Sequence, residues 1–360
     1  MKVHMNGSEW FGTLAGGLNR YFESLHGAMV DRSDIDVSAW AFGGAPRGGS
    51  SWGPLDGSTL DRVRASRRVV GSAPDLVDTH FALYGRRRFQ SAPGAVRLHH
   101  FQGPWFEESA AAGAGRLTQK AKFQLEKAVY ARGDHFVVLS PRFKDLLSDV
   151  FNVDSEKITI LSPGVDLERF PFRSAAQPSK TVVCVRRLER RMGIDVLLAS
   201  WPAVLARVPD ARLRIVGTGT EELALRDQAH RLGLDSSVDF EGKLSDVDLV
   251  QCYSDAALSV VPSTALEGFG LIALESLAVG TPAVVTDCGG LPEAVKGLDE
   301  TLVVPVGDVD ALARRLVDGL SGCLPDRRAA AAHAARFTWT AAADRHVELY
   351  RRLIADRSSS

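Results

Sequence analysis

The chain has 360 residues, 45% of them apolar and 24% charged, and a formal net charge of -1. This is globular composition with enough material for two cores, and the balanced charge excludes a general polyanion binder, so no nucleic-acid partner is expected. Four dispersed cysteines, Cys184, Cys252, Cys288 and Cys323, form no CxxC pair, which reads as reduced thiols of a cytoplasmic protein without a disulfide framework or a zinc site.

The opening residues, MKVHMNGSEW, lack the apolar core of a signal peptide, and no apolar run approaches the ~20 residues of a membrane span. Strands are predicted at 1–6, 35–41, 75–80, 95–101, 134–139 and 157–161. After the first, GTLAGGLNRYFESL (12–25) sets Gly16 and Gly17 before a helix, an anion-friendly turn or a packing turn, without a full GxGxxG or GxxxxGK[ST] pattern. The loop GGAPRGGSSWGPLDGS (43–58) reads as a lid or a solvated connector. His80 ends one strand. RLHHFQGPWFEES (97–109) ends another with His99, His100 and Gln102; adjacent histidines point to opposite faces, so at most one of that pair faces a given cleft. GRLTQKAKFQLEKAVYAR (115–132) is a basic helix that suits either an anionic lipid surface, together with RRR at 86–88, or plain solvation.

A boundary falls near 170–180, where FPFRSAAQPSK has no periodicity. Beyond it short apolar runs alternate with helix-like stretches, the pattern of parallel sheets covered by helices. CVRRLERRMGIDVLL (184–198) gathers Arg186, Arg187, Arg190 and Arg191 at a strand end, where guanidinium groups suit phosphate oxygens. VGTGTEE (216–222) is a partial glycine motif. ALSVVPS is a predicted buried strand, LIALESLAV a broadly apolar helix, and Glu267-Gly268-Phe269-Gly270 the tight connection between them. The free N–H groups and positive end of that helix favour a phosphate. Glu267 suits sugar hydroxyls; Glu275, about five residues into the helix or ~7.5 Å of rise, suits a ribose diol. The bland alternative makes Glu267 a helix-start acid and Glu275 a surface residue. Three DxD stretches, 33–37, 245–249 and 307–312, read more simply as helix caps than as metal ligands where a helix follows. FTWTAAADRHVELYRRLIA (337–355) has helical spacing.

Together the E-x7-E block from Glu267 to Glu275, RLERRMGIDVLL, VGTG, LSDVDLVQCYSDAAL, SPGVDLERF and GDVDALARRL resemble the family 4 retaining glycosyltransferases. The resemblance spans nearly the whole chain and is strongest over 181–320. It implies an α/β GT-B fold: two Rossmann-like parallel-sheet domains facing a cleft, an acceptor domain at 1–170 and a donor domain at 171–336, with a helix at 337–360 crossing back to the first. It implies a nucleotide diphosphate sugar as co-substrate, UDP- or GDP-linked, and no required cofactor or metal.

By resemblance Glu267 contacts donor-sugar hydroxyls, and the amides of Phe269 and Gly270 hold sugar and phosphate oxygens. Glu275 binds the ribose, Arg187 neutralises the diphosphate, Gly17 approaches it from the first domain, and Gly242, Lys243 and Leu244 read the base. Arg186, Gly217, Gly268 and Leu271 complete the expected donor set. Two positions depart from the family pattern. Met192 stands where a lysine is usual, so the second positive charge falls to Arg191 or Arg190, or to Arg186 paired with Arg191. HFQGPW stands for HFHGPW, so Gln102 replaces a histidine; His100 is then the expected acid/base group, with His80, His99 and Gln102 on the acceptor side. The expected activity is transfer of a hexose-type sugar to a hydroxyl acceptor, in the cytoplasm or weakly held at the inner membrane face. A sugar-nucleotide epimerase and a non-catalytic sugar-nucleotide-binding subunit remain as alternatives.

Overall fold

The computed structural model describes residues 1–14, 16–67, 73–84, 94–107, 113, 115–174 and 179–358. The RRR run at 86–88 lies outside them. The chain divides into two compact units, Met1–Gly164 with Trp339–Ser360, and Val165–Thr338. The divisions thus fall at Gly164/Val165 and Thr338/Trp339, a few residues from the expected 170 and 336. The reason is local: the Val165 N–H donates to the Phe337 carbonyl at 2.8 Å, and Val165 bridges Thr338, which ties both segments into the second unit.

In the first unit seven strands form one parallel sheet. They are β1 (Lys2–Glu9), β2 (Asp36–Phe42), β3 (Gly49–Ser51), β4 (Leu76–Thr79), β5 (Val96–Phe101), β6 (His135–Val138) and β7 (Ile158–Ile160), in the order β3-β2-β1-β4-β5-β6-β7. All four residues of β4 and of β6 are buried, as strands covered on both faces require. Among the described residues the helices are α1 (Gly17–Val30), α2 (Thr59–Ala65), α3 (Arg116–Tyr130), α4 (Pro141–Phe151) and, from the chain's end, the long helix Trp339–Ser358. The glycine-rich stretch 43–58 contains β3 and ends on Ser58, whose hydroxyl caps α2.

The second unit holds six strands: β8 (Thr181–Val185), β9 (Arg212–Val216), β10 (Val238–Gly242), β11 (Leu258–Val261), β12 (Ala283–Thr286) and β13 (Val303–Val304). They pair in parallel in the order β10-β9-β8-β11-β12-β13. Both sheets therefore follow the doubly wound order, with topological switch points at β1/β4 and β8/β11. The helices here are α5 (Ile194–Arg207), α6 (Glu222–Arg231), α7 (Asp246–Asp255), α8 (Leu271–Val279), α9 (Leu291–Val295), α10 (Val309–Leu320) and α11 (Arg327–Ala334), which makes Trp339–Ser358 α12. Every residue of α8 from Ala273 to Val279 is buried, as an all-round apolar helix demands. Ser245 caps α7 and Asp308 caps α10, so two of the DxD stretches serve helix starts; the third runs into β2.

Candidate functional site

The switch point of the second unit is built from backbone first. Past the end of β8, the Arg186 N–H donates to Val216 and the Leu188 N–H to Thr218, so the arginine segment stays laced to the glycine turn after β9. That turn admits no side chain: Gly217 has φ +137, and a Cβ there would stand 1.9 Å from the Arg186 carbonyl oxygen. Gly289, at φ +56, does the same for the acidic loop; its Cβ would meet the Glu267 carbonyl at 2.0 Å, and the Gly290 N–H donates to that carbonyl. Four helices start at this end without a side-chain cap, and two of them, α5 after Gly193 and α8 after Gly270, follow left-handed glycines. Uncapped first turns offer N–H groups to an anion.

The arginines then separate by role. Arg186 turns inward: its side chain is 9% exposed, and Nη2 is shared among Ser263 Oγ (2.5 Å), Met192 Sδ (2.9 Å) and the Glu267 carboxylate, with which it forms an ion pair. Arg191 donates to the Leu266 carbonyl at 3.0 Å, while its own carbonyl accepts from the Thr264 N–H, so it braces the 264–266 loop. Arg187 and Arg190 are exposed. No partner holds the Arg187 guanidinium among the described residues, leaving it available to a ligand. Leu266 is left-handed at φ +55, a strained conformation for a side chain of that kind, next to Glu267. Glu275 is buried within α8, which disposes of its reading as a surface residue. Phe269 is buried with its ring edge-on to Phe337. Gly268 and Leu271 are half-buried on either side of the Phe269–Gly270 turn. Gly242 accepts from the Gly217 N–H, with Lys243 exposed and Leu244 half-buried beyond it. Ser263 was not foreseen. It ends a stretch that reads as strand, and nothing in its sequence context marks the hydroxyl as an arginine ligand.

In the first unit the expected acid/base histidine lies inside a buried cluster: the side chains of Asp78, His80 and His100 have no exposure, so His100 offers no atom to solvent in this state. His80 and His100 stack at 3.8 Å with Nε2 at 3.3 and 3.1 Å from the two oxygens of Asp78 but out of hydrogen-bond alignment; the Tyr350 hydroxyl donates to the same carboxylate at 2.5 Å. His346 stacks on His100 and meets the Tyr21 hydroxyl at 3.1 Å. His99 points to the other face, stacked on Phe136. Burial drives the His80 and His99 imidazoles down to about 4 and His346 to about 3. Burial opposes ionisation of Asp78, yet the His100 and His80 rings hold its carboxyl well below the usual range. Ligand atoms of Asp78, His80 and His100 lie within 4.8 Å of one another. The two rings are within 15° of parallel, however, so a cation at ~2.0–2.1 Å from both nitrogens would stand well out of both ring planes.

Gln102 differs: the residue is half-buried, and its Nε2 is buried without a partner among the described residues. Gly16 and Gly17, at the start of α1, have open space where a Cβ would be. On α3, Arg116, Lys120 and Lys127 are exposed, as is Leu117, while Lys122 lies over the Trp105 ring. Among the described residues no helix is long and apolar enough to cross a membrane.

Two family models together match residues 15–336: 15–169 match Glycosyltransferase Family 4, and 167–336 match Glycosyl transferases group 1. A D-inositol 3-phosphate glycosyltransferase of Saccharomonospora viridis is 34% identical over 307 residues, 78% of this chain and 70% of that protein. Among solved structures, the sucrose-phosphate synthase of Thermosynechococcus elongatus superposes with a TM-score of 0.79 at 23% identity, covering 99% of this chain and all of that one. HepE of Anabaena, in complex with UDP and glucose, gives 0.76 at 17% identity, covering 98% and 100%.

Proposed function

The chain belongs to glycosyltransferase family 4 and has its α/β GT-B fold, and from that premise we propose that it moves a hexose-type sugar from a nucleoside diphosphate to a hydroxyl acceptor with retention at the anomeric carbon. The observation that carries this reading is the meeting of Arg186, Arg187, Glu267 and the uncapped start of α8 at the β8/β11 switch point.

As the bond from the anomeric carbon to the diphosphate breaks, negative charge grows on the phosphate oxygens. Arg187 and the N–H groups opening α8 meet that charge in place, which is preorganised electrostatic stabilisation needing no metal ion. The amides of Phe269 and Gly270 hold phosphate and sugar oxygens, Glu267 takes sugar hydroxyls, and Glu275 takes the ribose. Gly217, Gly242, Lys243 and Leu244 line the nucleoside side. A front-face attack, the leaving phosphate accepting the acceptor's proton, needs no protein base, which agrees with a His100 withdrawn from solvent. Gln102 is the acceptor-side residue of the first unit, because its buried Nε2 has no partner among the described residues. The donor is UDP- or GDP-linked; HepE carries UDP in its complex. The acceptor is a small molecule, a lipid-linked sugar or a growing glycan. The exposed cations of α3 fit weak contact with an anionic membrane face, which flotation with anionic vesicles at low and high salt tests.

The decisive experiment is a panel of UDP-, GDP-, ADP- and TDP-sugars scored for nucleotide release with and without acceptors, repeated with a chelator, with NMR of the product anomer. Arg187→Ala and Glu267→Ala each lower turnover by about 10²–10³-fold while circular dichroism is unchanged. Full activity in both variants sinks the site. Binding without turnover makes the chain a sugar-nucleotide-binding subunit, and acceptor-free interconversion of the sugar makes it an epimerase.

A further inference from the structure

The arrangement around Arg186 deepens that reading and rests on it. A guanidinium carries five N–H donors, and a buried one is costly unless they are met. Here one nitrogen, Nη2, serves Ser263, Met192 and Glu267 together, while Nε is buried with no partner among the described residues. Glu267 is likewise withdrawn, its side chain 15% exposed, and its carboxylate is occupied by Arg186 and approached by the Ser263 hydroxyl at 3.4 Å. So the acid assigned to sugar hydroxyls is engaged before any sugar arrives, and the cation engaging it has donors to spare.

We propose that Arg186 is an exchange residue: in the empty site it neutralises Glu267, and an entering diphosphate takes over its guanidinium and frees the Glu267 carboxylate for the sugar. The fork of Arg186 matches two phosphate oxygens at once, which a carboxylate held by Nη2 alone does not rival. The coupling makes the sugar subsite competent only when a diphosphate is present, so a free sugar or a sugar monophosphate finds Glu267 already paired. Glu267 and the phosphates are thereby competitors for one cation, and removing the carboxylate must strengthen binding of a diphosphate that carries no sugar, even as it abolishes transfer.

The test is a cycle over Arg186→Met and Glu267→Gln, read by calorimetry with UDP and GDP and checked for folding by circular dichroism. Glu267→Gln tightens whichever nucleotide the wild type binds by roughly tenfold, the scale of ordinary coupling energies, while turnover falls. Arg186→Met weakens that binding by roughly tenfold or more, and in its background Glu267→Gln changes affinity by less than about twofold. If Arg186→Met does not fold, Arg186→Lys replaces it, since an ammonium lacks the fork and also shrinks the gain. Unchanged or weakened nucleotide binding in Glu267→Gln overturns the exchange. So does a gain that persists in full without Arg186, because it then reflects only the loss of a negative charge. A wild type that binds no nucleotide removes the proposed function itself; a wild type that binds, with additive variants, removes only the exchange.

Discussion

Next to the switch point of the first unit, β4 and β5 end in imidazoles and a carboxylate with no solvent exposure, roofed by Tyr21 of α1 and by His346 and Tyr350 of α12. At the switch point of the second unit, β8 and β11 end in arginines, glutamate and glycines, with the helices that follow them left uncapped. Of the nine histidines in the chain, only His230 and His333 fall in the second unit. One strand order thus supports two uses of its strand ends. The first unit fills them with buried polar side chains and packs α12 over them; the second keeps its switch point open with backbone. Fold alone does not say which end is a site, and the chemistry of the residues there does.

The comparison breaks most violently at Asp78. Asp78→Ala leaves the Tyr350 hydroxyl buried without its acceptor and opens a cavity beside the His80 and His100 rings, a loss of roughly 3–5 kcal/mol. Hydrogen exchange should accelerate across β4, β5 and α12 while β8, β9 and β11 keep their protection. Equal acceleration in both units would show that the cluster is not a local keystone.

One chemical change made in both units sharpens the contrast. Gly217→Ala forces a Cβ to 1.9 Å from the Arg186 carbonyl at φ +137, which costs about 2–4 kcal/mol in strain and backbone displacement. Gly17→Ala adds a Cβ that meets nothing within 4 Å, so its effect on melting stays within about 0.5 kcal/mol. Turnover separates the rest: if a donor comes close to Gly17, Gly17→Ala loses activity without losing stability.

Acid should find the first unit before the second. Burial lowers His80 and His99 to about 4 and His346 to about 3, so the native form stays neutral where the unfolded chain, near 6.5, takes up protons. The unfolded state then binds more protons as pH falls below about 6.5, and each histidine removes ~1.4 kcal/mol of stability per pH unit until its native value is reached. Asp78, lowered in the native state, adds a loss of the same sign below the ordinary carboxylate range. Only Trp201 among the tryptophans lies in the second unit, so tryptophan fluorescence of a Trp201→Phe variant reports the first alone. Its urea midpoint drops between pH 7 and pH 5; a flat midpoint refutes the buried neutral state.

How much of this was legible follows from where each residue stands. Runs such as TVVCV and AVVT announce β8 and β12 because central parallel strands are apolar on both faces. Three edge or near-edge strands gave no such signal. β3 is three residues inside a glycine-rich loop, β10 reads VDFEG with charges toward solvent, and β13 is two residues long. The E-x7-E block pointed to the family that the comparisons show. Spacing could not tell which arginine turns inward, because Arg186 and Arg187 differ only in the face of the chain they leave from. Nor could it bury His100: alternation assigns a face, and only α12, arriving from some 240 residues away, decides what covers that face.

The smallest expected effect lies at Leu266, and it asks whether strain in the second unit has a use. A left-handed leucine costs roughly 1–2 kcal/mol, against about 0.5–1 kcal/mol for the extra freedom glycine brings to the unfolded chain. Leu266→Gly should therefore raise stability by at most about 1.5 kcal/mol. The same loop hands its carbonyl to Arg191 and presents Glu267 to Arg186, so its shape sets where the acid stands. If the strain is kept for that purpose, the variant melts at or above the wild-type temperature yet shows a raised KM for the donor with kcat less affected. A variant that gains stability and keeps its KM would mean that any conformation of 264–266 positions Glu267 equally well, and that the open switch point depends on its glycines and arginines alone.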